Sequence, residues 1–146
     1  MLVWLFSKRN VTLRAASGNL AATDVSPEVD SKKFRTAVVD LRITELIMPD
    51  GDDEVDFYIQ TKMNGTWVDV ANVHYDNGDE ATTGDDWLIG IGPKAAGVAV
   101  VAHTDGTIAD DGTADIPLGE AVRVKVLVTG ASPPTFAYNA KVSFYG

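Results

Sequence analysis

Apolar and polar residues alternate with a period of two through most of this chain, which is the signature of strands with one buried face. Val11-Thr12-Leu13-Arg14-Ala15 opens the pattern, Ser17-Gly18-Asn19 breaks it, and residues 23–33, which include Pro27, read as a loop. The alternation resumes at Thr36-Ala37-Val38-Val39-Asp40-Leu41-Arg42-Ile43-Thr44-Glu45-Leu46, where Val39, Leu41, Ile43 and Leu46 face a core and β-branched residues suit the pleat. Pro49 and Asp50-Gly51-Asp52-Asp53 end it. Val55, Phe57, Ile59 and Thr61 then alternate with Asp56, Tyr58, Gln60 and Lys62 as far as Asn64-Gly65. That dipeptide is the strongest short-range hairpin signal, because a type I′ turn needs positive φ at both central residues. Residues 55–62 are therefore expected to pair antiparallel with 66–73, with Trp67, Asp69, Ala71 and Val73 on one face and Val68, Val70 and Asn72 on the other.

After the polar Asp76-Asn77-Gly78-Asp79-Glu80, Trp87-Leu88-Ile89-Gly90-Ile91 reads as another strand. Residues 95–103 are so continuously apolar that burial on both faces is expected. Residues 104–119, rich in Asp and Gly, read mostly as loop. Val122, Val124, Val126 and Val128 point inward from 120–129, and Gly130-Ala131-Ser132-Pro133-Pro134 turns the chain back into 135–145. There Phe136, Tyr138, Ala140, Val142 and Phe144 share one face. Nowhere do apolar residues recur at helical spacing over three turns. The expectation is an all-β fold, an antiparallel β-sandwich of jelly-roll or immunoglobulin-like type with about eight strands. Residues 1–10 form an N-terminal arm or edge strand and 11–146 a single domain.

The apolar start, Met1-Leu2-Val3-Trp4-Leu5-Phe6, is not expected to be a signal peptide, because Lys8 and Arg9 follow the run instead of preceding it. It reads either as a first strand in the core or as an arm packing on a neighbouring subunit. No stretch approaches the roughly 18 apolar residues of a membrane-spanning helix. Twelve basic against 21 acidic side chains leave a net charge of −9, which repels phosphate and argues against nucleic-acid binding or a polybasic membrane adaptor. The absence of cysteine excludes disulfides, thiolate nucleophiles and Cys-based metal centres. Two histidines are too few for most other metal constellations, so neither metal nor cofactor is expected.

Candidate chemistry is correspondingly thin. His74 and His103 each end a strand pattern, and a general base needs a nucleophile or substrate proton within hydrogen-bond reach, so no catalytic residue is assigned. A glycosidase-type pair needs one carboxylic acid in an apolar pocket, whereas the acids here cluster in Gly-rich turns. Asp50-Gly51-Asp52-Asp53-Glu54, Asp76-Asn77-Gly78-Asp79-Glu80 and Asp110-Asp111-Gly112-Thr113-Ala114-Asp115 are rich enough in oxygen for calcium. None has the spacing of a calcium loop, and turn geometry accounts for them. Phosphate loops, Gly-x-Ser-x-Gly elbows and His-Glu-x-x-His pairs are absent. Tyr58, Trp67, Tyr75 and Trp87 could stack sugars, although core packing is the expected fate of both tryptophans.

Asp56-Phe57-Tyr58-Ile59-Gln60-Thr61-Lys62-Met63-Asn64-Gly65-Thr66-Trp67-Val68-Asp69-Val70-Ala71 resembles a strand–turn–strand of small virion proteins of tailed bacteriophages. In those proteins Gln-Thr or Gln-Ser leads into an Asn-Gly or Asp-Gly turn and a Thr-Trp pair. Val122-Arg123-Val124-Lys125-Val126-Leu127-Val128-Thr129-Gly130-Ala131-Ser132-Pro133-Pro134-Thr135-Phe136 is similar to their arginine-bearing strand, Thr-Gly-x-Ser-Pro turn and aromatic return strand. Val38-Val39-Asp40-Leu41-Arg42-Ile43-Thr44 resembles their preceding core strand, so the likeness spans residues 37–144. The apolar start, the 23–33 loop and the acidic 104–115 segment have no counterpart.

The resemblance implies a non-enzymatic capsid decoration (cement) protein on the outer surface of the virion, partnered by the major capsid protein and self-associating, as a trimer by analogy. Leu2, Val3, Trp4, Leu5, Phe6, Lys8 and Arg9 would make the capsid or inter-subunit contacts. Three alternatives stand beside it: a neck, tail or head-fibre component, a carbohydrate-binding β-sandwich module, and a hydrolase with His74 or His103 beside a carboxylate in a cleft.

Overall fold

The computed structural model of the protein describes residues 8–15, 20–77, 85–92, 103–130, 132 and 134–146. Two antiparallel sheets face each other across one core. The first runs in the order β1 (Lys8–Arg14), β10 (Thr135–Tyr145), β4 (Thr36–Ile47) and β7 (Asp85–Ile91). The second runs β2 (Asp24–Val25), β9 (Ala121–Thr129), β5 (Glu54–Met63), β6 (Thr66–Asp76) and β8 (His103–Thr104), with β3 (Val29–Asp30) also paired to β9. The expected all-β sandwich is therefore the fold.

Alternation gives the core its content. Val39, Leu41, Ile43, Val122, Val124 and Val126 are all fully buried, as are Phe136, Tyr138, Ala140, Val142 and Phe144. Leu46, three positions after Ile43, still faces inward because the β4–β10 register slips between Ala137 and Tyr138, leaving Thr44 as the extra residue. Phe57 sits at the centre, edge-on to Tyr138 at 5.5 Å, Phe136 at 5.8 Å and Tyr75 at 6.1 Å. Such contacts add about 0.5–1.5 kcal/mol per pair beyond the burial of the rings. The Asn64-Gly65 turn forms as its sequence demands, with φ of 51° and 80° and Met63 opposite Thr66.

Three expectations are corrected. Trp67 and Asp69 do not share a face with Ala71 and Val73, because a bulge between Ile59 and Gln60 sets Ala71 opposite Ile59 but Asp69 opposite Gln60. Residues 23–33 are not all loop, since β2 and β3 line the edge of β9. Ser26 continues that pairing: its N–H donates to the Val124 carbonyl and its hydroxyl accepts the Val124 N–H, both at 2.9 Å. Pro27, which has no N–H to offer, falls between the two short strands, so the edge is covered without a continuous ladder. Finally, β10 does not return beside β9, as the turn signal at 130–134 suggests, but lies in the other sheet between β1 and β4.

Lys8, Arg9 and Asn10 pair with Tyr145, Phe144 and Ser143, so they belong to edge strand β1. Leu2, Val3, Trp4, Leu5 and Phe6 lie outside the described residues, as does the 95–102 part of the apolar run.

Candidate functional site

The outer face of the second sheet carries a connected group of polar side chains. Pairing across β9, β5 and β6 sets three rows there: Arg123–Gln60–Asp69, Lys125–Tyr58–Asn72 and Leu127–Asp56–His74. Outward positions on a sheet are ordinarily wet, yet Gln60, Asp69 and Asn72 are buried. The loop of residues 105–113 folds onto this face and supplies the cover.

Asp69 is its anchor. One carboxylate oxygen accepts the Gln60 amide at 2.8 Å and the Gly106 N–H at 3.1 Å, and the other accepts the N–H groups of Thr107 at 2.8 Å and Ile108 at 3.1 Å. A buried carboxylate is tolerable only when its lone pairs are filled in this way. Gly106 (φ 75°) and Asp111 (φ 50°) take the left-handed conformations that let so short a loop turn back, Asp being among the few non-glycine residues that adopt them readily. The loop then rejoins the β6 edge, where Asn72 N–H donates to Gly112 and Ala114 N–H to Val70.

Asp105 ties the same loop to β9 and β5. Its carboxylate accepts from the Gln60 amide at 2.7 Å and from Lys125 at 2.8 Å, with Arg123 at 3.4 Å. Burial works against the charged form of Asp105, but the Lys125 and Gln60 hydrogen bonds and the two cationic charges hold its pKa below the ordinary value. Arg123 also donates to Gln60 Oε1 at 2.7 Å and lies over the Trp67 ring, 4.1 Å from its centroid, with Lys62 at 5.5 Å. Trp67 is thus a half-buried outer-face residue in contact with two cations, not the core residue expected of it.

At the other end of the face, His74 Nδ1 lies 2.8 Å from Asp56 Oδ1 and 3.7 Å from Asp110 Oδ1. Asn72 Nδ2 donates to the same Asp56 oxygen at 2.9 Å, and the His74 N–H donates to Asp111 at 3.1 Å. Burial opposes the imidazolium of His74, yet the Asp56 hydrogen bond and the charges of Asp56, Asp110 and Glu54 outweigh it and raise the pKa. A histidine oriented by a carboxylate is half of a nucleophilic triad, but none of the hydrogen bonds to His74 among the described residues comes from a hydroxyl or amine. The arrangement can hold a proton or a cation.

The remaining expected residues disperse. Tyr58 is buried on the outer face, Tyr75 is in the core, and Trp87, 42% exposed, lies on edge strand β7 with its indole N–H donating to the Tyr75 hydroxyl at 2.9 Å. His103 falls in β8, opposite Asp69. In the 50–53 turn, Asp53 Oδ2 accepts the Asp50 N–H at 2.9 Å, and Asn77 donates to the Met48 and Asp50 carbonyls. These hydrogen bonds close the turn, and they leave one oxygen each from Asp50, Asp52 and Asp53 within 4.8 Å of one another. An apolar groove of about 500 Å³ lies between β6 and β7, lined by Val70, Val73, Trp87, Ile89 and Ala114, with Asp111 at its margin.

A scan of the chain against protein-family models finds no match, and a search of curated proteins finds no similar sequence.

Proposed function

We propose that this chain is a non-enzymatic structural protein of a tailed-bacteriophage virion, a decoration (cement) protein that binds the outer surface of the major capsid shell. The observation that carries the reading is the edge of the first sheet. Among the described residues β7 pairs only with β4, and it shows Leu88 at 74% and Trp87 at 42% exposure. A strand with open backbone groups and apolar side chains is suited to extension by a strand of a neighbouring chain. The opposite edge is β1, where Lys8 and Arg9 are exposed next to the apolar start of the sequence. Weak contacts at two edges become tight attachment when symmetry repeats them. The resemblance of 56–71 and 122–136 to small virion proteins supports the same reading, and a trimer is the arrangement it suggests. The net charge of −9 suits a surface facing solvent better than one facing packaged DNA.

The test is reconstitution. Purified protein is added to particles that lack it, and both occupancy and the temperature of particle disruption are measured. Saturable rebinding in hundreds of copies with raised heat resistance is the expected result, whereas about a dozen copies identifies a neck or tail component. Absence of rebinding overturns the proposal.

A further inference from the structure

We propose that Asp56, His74 and Asp110 form a binding site for one divalent transition-metal ion of the zinc class, which clamps the 105–113 loop to the outer face of the second sheet. One oxygen from each aspartate and one imidazole nitrogen lie within 4.8 Å of one another. His74 Nδ1 stands 2.8 Å from Asp56 Oδ1 and 3.7 Å from Asp110 Oδ1. Two ligands bound about 2.1 Å from a shared ion are themselves roughly 3.0–3.4 Å apart in octahedral or tetrahedral geometry, and the two observed separations bracket that spacing. Asp110 is 69% exposed on its loop, so its carboxylate has room to move toward the other two ligands.

The donor set selects the ion. Calcium and magnesium take oxygen almost exclusively, whereas one imidazole with two carboxylates suits zinc, manganese, iron and cobalt. The charge around the site is one-sided: Glu54 and Asp111 add to Asp56 and Asp110, and among the described residues no Lys or Arg pairs with either ligand carboxylate.

An independent observation comes from Asn72, two residues before His74 and 2% exposed. Its amide nitrogen orients Asp56 by donating to Oδ1 at 2.9 Å, the outer support that metal-ligating carboxylates ordinarily have. Its Oδ1, on the same amide, is buried and has no hydrogen-bond partner among the described residues. Buried polar atoms are nearly always satisfied, and a water on a bound ion would supply the donor this one lacks. One histidine with carboxylates from two elements is sufficient for such a site, which is why counting histidines in the sequence misses it.

The experiment titrates cobalt(II), as a spectroscopic stand-in for zinc, into chelator-treated protein and follows its visible absorption, alongside thermal unfolding with zinc or calcium added. The expected result is a spectrum that saturates at one equivalent and a melting temperature raised by zinc but not by calcium. Asp110→Asn, an exposed substitution that leaves the sandwich intact, weakens cobalt binding roughly tenfold or more, and His74→Gln removes it. Asp52→Asn, in the separate acidic turn, leaves it unchanged. No spectral change in the unsubstituted protein, stabilisation by calcium alone, or undiminished binding in both Asp110→Asn and His74→Gln overturns the proposal.

Discussion

The carboxylate of Asp69, buried on β6, accepts the backbone N–H of Thr107 at 2.8 Å from a loop 38 residues further along the chain. With the Gly106 and Ile108 amides on the same side chain, one residue fixes the whole start of that loop. Asp69→Ala leaves three backbone amides without their acceptor and the Gln60 amide with Asp105 alone, and a lost bond to a charged group costs about 1.5–3 kcal/mol. Asp69→Ala is expected to lower stability by about 3–5 kcal/mol in urea unfolding. Amide exchange at Gly106, Thr107 and Ile108 should accelerate more than exchange in β4 or β10. Equal acceleration throughout would mean that the loop is not held by this residue.

The tyrosines give the protein a defined alkaline limit. Burial, followed by the charges of Asp56, Asp69, Asp110 and Asp105, pushes the Tyr58 phenol up to about 12. Burial chiefly, with Asp85 beside the hydroxyl, takes Tyr75 to about 12 as well. In the unfolded chain both ionise near 10. A folded-state pKa above the unfolded one contributes stability that is complete below pH 10 and lost as pH rises toward 12. Unfolding free energy should therefore fall across pH 10–12, and Tyr75→Phe should flatten that fall. Phenolate absorbance of the folded protein should show these two groups ionising near 12; a full titration of all four tyrosines near 10 would contradict the burial described.

The core of this fold is legible in the sequence and its outer face is not, for a definite reason. Val39, Leu41 and Ile43 on β4, or Val122, Val124 and Val126 on β9, announce their burial because alternation is local. Asn64-Gly65 likewise announces its own turn. A bulge leaves no such trace. An unbroken ladder from Met63 opposite Thr66 would place Asp56 opposite Val73; the single extra residue places it opposite His74 and so creates the His74–Asp56 pair. Gln60 and Asp69 read as solvent-facing residues, and only the 105–113 loop, distant in sequence, makes them buried partners. No periodicity could have reported contacts made across that separation.

Gly130 marks the passage between sheets, with φ at 133°, a conformation that L-residues rarely adopt. A Cβ there would stand 2.0 Å from Asp53 Oδ1, and Asp53 is itself buried under the 50–53 turn. Strain and overlap act together in Gly130→Ala, which should destabilise by about 2–4 kcal/mol. Gly51→Ala, in the same region but with open space around its Cβ, serves as the comparison and should cost under about 1 kcal/mol. Similar unfolding midpoints for the two variants would show that the crossover is not tightly specified.

Leu88 tests the proposed attachment edge apart from folding. It lies opposite Asp40 in the β4–β7 ladder, points away from the core and is 74% exposed, so the isolated protein gains little from it. Leu88→Lys, which sets a positive charge opposite Asp40, should change stability by no more than about 0.5 kcal/mol. At the edge of a sheet, a charge also discourages pairing with another strand, as edge strands of stable monomers commonly do. If β7 is the strand that neighbouring capsid subunits extend, the variant should remain folded by circular dichroism yet lose rebinding to protein-deficient particles, with multivalency amplifying a small loss per copy. Rebinding at the unsubstituted level would move the contact away from this edge and toward β1, where Lys8→Glu with Arg9→Glu is the corresponding pair of substitutions.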